Sequence, residues 1–113
     1  MKLPLQINFH GIDHSPALEA AIAEKSAGLG RFDSSLISCR VTVEQEGRHQ
    51  HQGREVAIRI DLSVPGHELV VTRKHEDAFA ATNEAFDAAR RVVKEDAAQR
   101  RNVVKQRAEV NDL

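Results

Sequence analysis

Apolar and polar residues alternate along four segments of the chain, with a period of two. The segments are 5–10, 37–44, 56–64 and 67–74. Such alternation predicts β-strands that bury one face and leave the other in solvent. In the second segment, Ile37 and Cys39 belong to the row that we expect to face the core. Pro65 followed by Gly66 predicts a tight turn between the last two strands.

Two further segments carry apolar residues at helical spacing. The first begins at Ser15 and Pro16, residue types favoured at the N-cap and the first position of a helix, and we expect Gly28 and Gly30 to weaken and end it. The second runs from Arg73 to about Arg107 and is predicted to be one long helix. At about 100° per residue, one arc of this helix forms a predicted buried stripe, which contains Phe79, Thr82, Phe86, Ala89, Val93 and Ala97.

These elements follow one another in the order β-α-β-β-β-α, which predicts an α+β fold. One face of every strand is apolar, so we expect a four-stranded sheet with both helices packed on one side and solvent on the other. A length of 113 residues is that of a single domain. Close packing is predicted to about residue 97. We therefore expect a domain over 1–97 and a basic C-terminal extension over 98–113, helical or disordered.

Composition narrows the classes of function. The chain has no Trp or Tyr and only four Phe, which argues against stacking platforms that read single-stranded nucleic acid. A single cysteine excludes an internal disulfide, and Cys39 is predicted to be a core residue. The N-terminus has no apolar run of the length of a signal peptide, and no segment is long enough to span a membrane. We expect a soluble cytoplasmic protein with no membrane partner.

The sequence shows no motif of a nucleophile, a phosphate loop, a dinucleotide site or a zinc site. His49 and His51 lie in a polar segment, 46–55, that is predicted to be a loop, and a metal site normally needs a third or fourth ligand. His75 precedes the long helix and is expected to make a local contact or cap. We therefore predict no catalytic residue, no metal, no cofactor and no small-molecule substrate.

The charges of the chain are unevenly distributed although the net charge is only −1. Residues 90–107 hold seven cations and two carboxylates, a local charge of +5. The helix dipole favours cations only within the last turn, and Glu95 and Asp96 are too few to neutralise the cluster. Helix-end stabilisation and a solvated face therefore explain the cluster less well than a polyanion-binding surface does.

Two stretches give the chain a resemblance to a known family. The stretch SPAL…EKSAGLGRFD at 15–33 is similar to the first helix of that family and to the residues that follow it. The stretch HEDAFAA at 75–81 is similar to the start of the family's long helix. The family is that of the ribosome hibernation-promoting factors, the ribosome-associated inhibitor proteins of bacteria and plastids. The similarity covers residues 5 to about 97, and the absence of a further C-terminal domain is typical of the short type.

The resemblance implies a fold akin to double-stranded-RNA-binding domains. It also implies binding in the tRNA and mRNA channel of the small ribosomal subunit, where such proteins stop translation and protect idle ribosomes under stress. Contacts with rRNA phosphates would come from Lys and Arg of both helices, and off the ribosome we expect a monomer. The predicted rRNA-binding residues are Lys25, Arg31, Lys74, Arg90, Arg91, Lys94 and Arg101.

Three positions depart from the family pattern and leave alternatives open. Ala88 stands where the long helix is usually basic, Ser26 where a large apolar residue is common, and Glu95 where Lys is frequent. One alternative is a protein-interaction module on the same fold that has lost ribosome binding and docks an acidic protein. A more remote alternative is a small enzyme that uses the histidines.

Overall fold

The computed structural model describes residues 3–45 and 55–111, and side-chain surroundings as far as residue 102. The predicted loop histidines, His49 and His51, lie outside the described residues. The elements are β1 (Leu5–His10), α1 (Pro16–Phe32), β2 (Ser38–Gln45), β3 (Val56–Val64), β4 (His67–His75) and α2 (Ala78–Asn111). This order confirms the predicted α+β arrangement.

The four strands form one mixed sheet in the order β1-β2-β3-β4. β1 pairs with β2 in parallel, and the other two pairings are antiparallel. α1 supplies the crossover that the parallel pairing requires. The predicted turn joins β3 to β4, and Gly66 there has a φ of 90°, a backbone conformation that glycine adopts without strain.

The core lies between one face of the sheet and the two helices. Ile58 and Ile60 of β3 and Ile22 of α1 are fully buried within it. Cys39 is also buried, as predicted, and makes a hydrogen bond with the side chain of Ser26. Burial raises the pKa of the Cys39 thiol more than this hydrogen bond lowers it. Ser26, which departs from the family pattern, is therefore a core residue with a polar partner.

α1 begins as predicted but does not end at its glycines. The Ser15 hydroxyl accepts a hydrogen bond from the Leu18 amide, which makes Ser15 the N-cap. The helix continues through Gly28 and Gly30 to Phe32, and Leu29 in this last part is only 4% exposed. The prediction that the glycines end the helix was wrong because burial of this last turn outweighs their low helix propensity.

α2 is one long helix, but it begins at Ala78 rather than at Arg73. Residues 73–75 remain paired with β3 and extend β4 instead. The Asp77 carboxylate accepts from the Phe79 amide and caps the helix, and the Asp77 amide donates to Nδ1 of His75. The local contact expected for His75 is thus confirmed.

The buried face of α2 includes most of the predicted stripe and is wider than it. Four residues of the stripe are buried as predicted, namely Thr82, Phe86, Ala89 and Val93. Phe79 is 46% exposed, whereas Ala81, Ala85 and Ala88 are buried. The helix packs against β3, β4 and α1 together, so its covered arc is wider than one stripe, and small alanines allow close approach to the sheet.

The start of β2 also differs from the prediction. Ile37 lies before the strand and is 55% exposed, although its amide donates to the Ser63 carbonyl. The preceding residue, Leu36, enters the core instead. Alternation therefore identified the row of inward residues from Cys39 onward and failed at the bend before it.

Candidate nucleic-acid interface

A groove of about 460 Å³ separates the C-terminal half of α1 from α2. Its rim carries three of the predicted cations, which are Lys25 and Arg31 of α1 and Arg90 of α2. Leu29 and Phe86 contribute apolar atoms to its lining. The groove therefore combines a cationic rim with an apolar lining and brings together residues from both helices.

Phe32 and Arg90 join the two helices at this groove. The Arg90 guanidinium carbon lies 4.5 Å from the centre of the Phe32 ring, in a cation–π contact. Such a contact is worth about 0.5–1 kcal/mol at an exposed site, and Phe32 is 40% exposed. The contact favours one position of the guanidinium on the rim, and the Arg90 side chain remains exposed.

Three further cations extend from Arg90 along α2. At about 100° per residue, Arg90, Lys94 and Arg101 point within an arc of about 40°, and Arg91 lies about 60° beyond Lys94. All four are exposed. Together with the two α1 cations they form the two-helix basic face, defined here as Lys25, Arg31, Arg90, Arg91, Lys94 and Arg101.

The charges of this face are available to a ligand. Within residues 3–45 and 55–102, no ion pair involves any of its six cations. Asp87 is an acidic residue that lines the groove beside Arg90. The face thus presents a concentration of positive charge whose neutralisation is left to solvent ions or to a bound polyanion.

Lys74 is the predicted site residue that lies elsewhere. It pairs with Ala57 on the polar face of the sheet, the side opposite to the helices. That face carries charges of both signs, and its Arg59 is already paired with Asp61 at 3.2 Å. The structure therefore groups six of the seven predicted residues and separates the seventh.

Arg100 differs from its neighbours because it is held by packing. Its Nε donates to Asp96 at 2.8 Å, and its terminal nitrogens reach Ser35 at 3.1 Å and Asp33 at 3.4 Å. The predicted end of close packing near residue 97 was therefore one turn too early. The division into 1–97 and 98–113 otherwise stays a prediction.

The neighbours of Asp33 change the pKa of its carboxyl group. Burial alone would raise its pKa, but hydrogen bonds from the side chain and amide of Ser35 and the charge of Arg100 outweigh burial. Together they hold the pKa of Asp33 below its ordinary value of 3.8. The ionised carboxylate is thus the form that the folded protein favours.

Acidification is expected to weaken the fold through Asp33. Because its folded-state pKa is depressed, its stabilisation is fully present above the unfolded value of 3.8 and is lost as the pH falls through the lower folded value. The variant Asp33→Asn should start less stable and lose less of its free energy of unfolding between about pH 4 and pH 2. Urea unfolding at a series of pH values measures this, and parallel losses in the two proteins would contradict it.

Sequence reasoning missed two groups that shape this surface. Phe32 was not recognised as the partner of Arg90, and the two residues are distant in sequence. The Asp96–Arg100 pair has the i,i+4 spacing that could have revealed it. Its third partner, Asp33, gives no such signal, because it lies 67 residues away from Arg100.

The part of the chain that the structure describes contains no group of three or more metal-ligating side chains. Nor does it contain a helix with the length and apolar character needed to cross a membrane.

Comparison with solved structures shows the same fold in two proteins. A ribosomal subunit interface protein from Coxiella burnetii superposes with a TM-score of 0.71 at 14% identity, covering 85% of this chain and 99% of that one. The N-terminal domain of Protein Y from Thermus thermophilus superposes with a TM-score of 0.67 at 21% identity, covering 84% and 98%. Comparison with curated protein sequences gives no match.

A family model gives the more specific result. The model described as Sigma 54 modulation protein / S30EA ribosomal protein matches residues 5–101. This range includes both stretches that carry the resemblance and all six residues of the two-helix basic face. Because the match covers most of the chain, this protein belongs to the Sigma 54 modulation protein / S30EA ribosomal protein family.

Proposed function

We propose that this protein binds the small ribosomal subunit through rRNA phosphates, inhibits translation and protects idle ribosomes. The observation that carries the proposal is the two-helix basic face, whose six cations have no ion-pair partner among the described residues. Membership of a ribosomal-protein family supports the choice of polyanion. The same choice is supported by the shared fold with a protein named for the ribosomal subunit interface.

Binding would rest on phosphates and shape rather than on base sequence. Lys and Arg side chains neutralise phosphates and release counterions, and contacts with phosphates position a protein without reading bases. The exposed aromatic rings of the described surface are those of Phe32 and Phe79, and the Phe32 ring already contacts Arg90. We therefore expect weak discrimination among RNA sequences and a strong dependence on salt.

Inhibition would follow from occupancy. A protein held in the channel used by tRNA and mRNA excludes both ligands and needs no chemical step of its own. The proposal therefore requires no catalytic residue and no cofactor. It implies action in the cytoplasm as a monomer that associates with the subunit reversibly.

Co-sedimentation with purified small subunits across a salt series tests the proposal. If all six cations contact phosphates, the logarithm of the binding constant should fall with a slope of about −4 to −5 against the logarithm of salt concentration. Affinity should then fall several-hundred-fold between roughly 50 and 200 mM salt. Absence of co-sedimentation at the lowest salt would refute the proposal.

Nuclease treatment separates the proposal from docking to an acidic protein. Digestion of the rRNA should abolish binding if phosphates are the ligand. Binding that survives digestion unchanged would favour a protein-interaction module instead, because acidic ribosomal proteins remain after the RNA is removed.

A further inference from the structure

The contacts of Arg100 form a cluster that ties three parts of the fold together. Asp96, on α2, is only 7% exposed. Its Oδ1 lies 2.6 Å from Nε2 of His67, at the start of β4, and its Oδ2 accepts from Nε of Arg100 at 2.8 Å. The terminal nitrogens of Arg100 then reach the link between α1 and β2, where they donate to Ser35 and Asp33.

The end of α1 is thereby held by two arginines of α2. Arg90 covers the ring of Phe32, and Arg100 donates to Asp33, the next residue in the chain. Ten residues of helix separate the two arginines by about 15 Å along the axis of α2. These contacts, on both sides of the point where α1 ends, connect the two helices at two places along α2.

The guanidinium of Arg100 is already paired with carboxylates of the protein itself. Its side chain is 27% exposed and contacts two carboxylates, those of Asp96 and Asp33. A phosphate contact would have to compete with these fixed, partly buried partners. Arg101, the next residue, is exposed and makes no ion pair with any described residue.

We propose that Asp33, Asp96 and Arg100 form a clasp that positions the two basic helices for RNA, and that Arg100 is not itself an RNA ligand. This inference rests on the proposed function. The clasp holds Lys25 and Arg31 on α1 at a fixed spacing from the cations of α2. The RNA then meets a preorganised face, so binding does not bear the cost of ordering it.

The clasp requires the shape of an arginine and not only its charge. The planar guanidinium donates in several fixed directions at once, which a lysine ammonium on a flexible stem does not reproduce. Arg100→Lys therefore keeps the positive charge and loses the fork, that is, the set of N–H groups that the planar guanidinium holds in fixed directions. A phosphate contact at the surface would tolerate this substitution better, because lysine also binds phosphates as a point charge.

Matched substitutions at Arg100 and Arg101 test the assignment by salt-dependent binding to small subunits. Arg100→Lys and Arg100→Gln should each weaken binding about tenfold with an unchanged salt slope, because preorganisation is lost and no phosphate contact is removed. Arg101→Gln should reduce the slope by about 0.7–0.9, and Arg101→Lys should keep it. Circular dichroism verifies that each variant is folded at the temperature of the binding assay.

Two results would overturn the assignment. Wild-type affinity in Arg100→Lys would show that the fork has no part in binding. A reduced salt slope in Arg100→Gln, equal to that of Arg101→Gln, would show that Arg100 contacts phosphate. Should Arg100→Gln fail to fold, Asp33→Asn removes one partner of the clasp and leaves Arg100 and Asp96 in place, with a smaller loss of affinity expected.

A measurement without ribosomes separates the clasp from the proposed function. Spin labels attached to cysteines introduced at Ala23 of α1 and Gln99 of α2, both exposed positions, report the distance between the two helices. The native Cys39 is buried, so it should not react with the label. Arg100→Lys should broaden the distribution of distances between the labels. An unbroadened distribution would refute the clasp, whereas failure of the wild-type protein to bind subunits would refute the function alone.

Discussion

A protein in which Arg90 and Lys94 are both replaced by Glu is expected to lose at least 100-fold in affinity for the small subunit. The two side chains belong to the two-helix basic face and point in nearly the same direction from α2. If both side chains contact phosphates as proposed, the double substitution should lower the salt slope by roughly 1.4–1.8. It also places two negative charges against the RNA backbone, and this repulsion adds to the loss.

The matched control reverses two charges outside the two-helix basic face, on the edge strand β4. Arg73 and Lys74 lie on the edge strand β4, are exposed, and make no ion pair with any described residue. Arg73→Glu with Lys74→Glu gives the same net charge as the α2 double variant. The control should keep most of its affinity if the helices carry the interface. An equal loss in the two variants would show that net charge, or the strand β4, governs binding.

In the α2 double variant and its control, inhibition of translation should change in parallel with affinity for the small subunit. In a translation reaction with purified components, the protein with Arg90→Glu and Lys94→Glu should leave synthesis unaffected at concentrations where the wild-type protein stops it. Strong inhibition without binding would separate the two parts of the proposed function and would contradict the occupancy argument.

Features governed by neighbours in sequence were predictable from the chain alone. The N-cap at Ser15 depends on an amide only three residues away. The turn at Pro65 and Gly66 and the alternation over Val56–Val64 likewise depend on short segments. Each feature has a local physical cause, so periodicity and residue type were sufficient to predict it.

The width of the buried face of α2 was harder to predict because alanine occurs on both buried and exposed faces of a helix. Spacing at 3.6 residues gives the relative directions of the side chains, but the absolute direction depends on which arc meets the sheet. Phe79, the more apolar residue, is exposed, whereas Ala81, two residues later, is buried. Close approach of the helix to β3 and β4, which small residues permit, buries a wider arc than the predicted stripe.

In the candidate site, too, local features were predictable from the sequence and tertiary contacts were not. The grouping of Arg90, Lys94 and Arg101 followed from helical direction. The contacts that fix the face do not, since Phe32 meets Arg90, and Asp33 meets Arg100, only through the tertiary packing of α1 on α2. A sequence can therefore indicate which cations share a helix face without indicating which of them are already paired.

Replacing Ala88 with Lys is expected to destabilise the protein by about 2–3 kcal/mol. The resemblance drawn from the sequence implies a basic residue at position 88, so the substitution is an apparent restoration. In this chain, however, the residue is 3% exposed and belongs to the core cluster. A lysine there must overpack the core or distort α2 so that its ammonium reaches water.

Thermal unfolding provides the measurement, with a decrease in Tm of roughly 10 °C expected for Ala88→Lys. Asp87→Lys is the matched control, because the neighbouring residue is exposed and lines the groove beside Arg90. Its stability should change by no more than about 0.5 kcal/mol, and its affinity for the subunit should rise because an acidic residue is removed from the groove. A stable Ala88→Lys protein with raised affinity would show instead that position 88 belongs to the RNA-binding surface. The two expected outcomes together would support the proposal that the binding charge lies on a different arc of α2, at Arg90, Lys94 and Arg101, while Ala88 packs in the core.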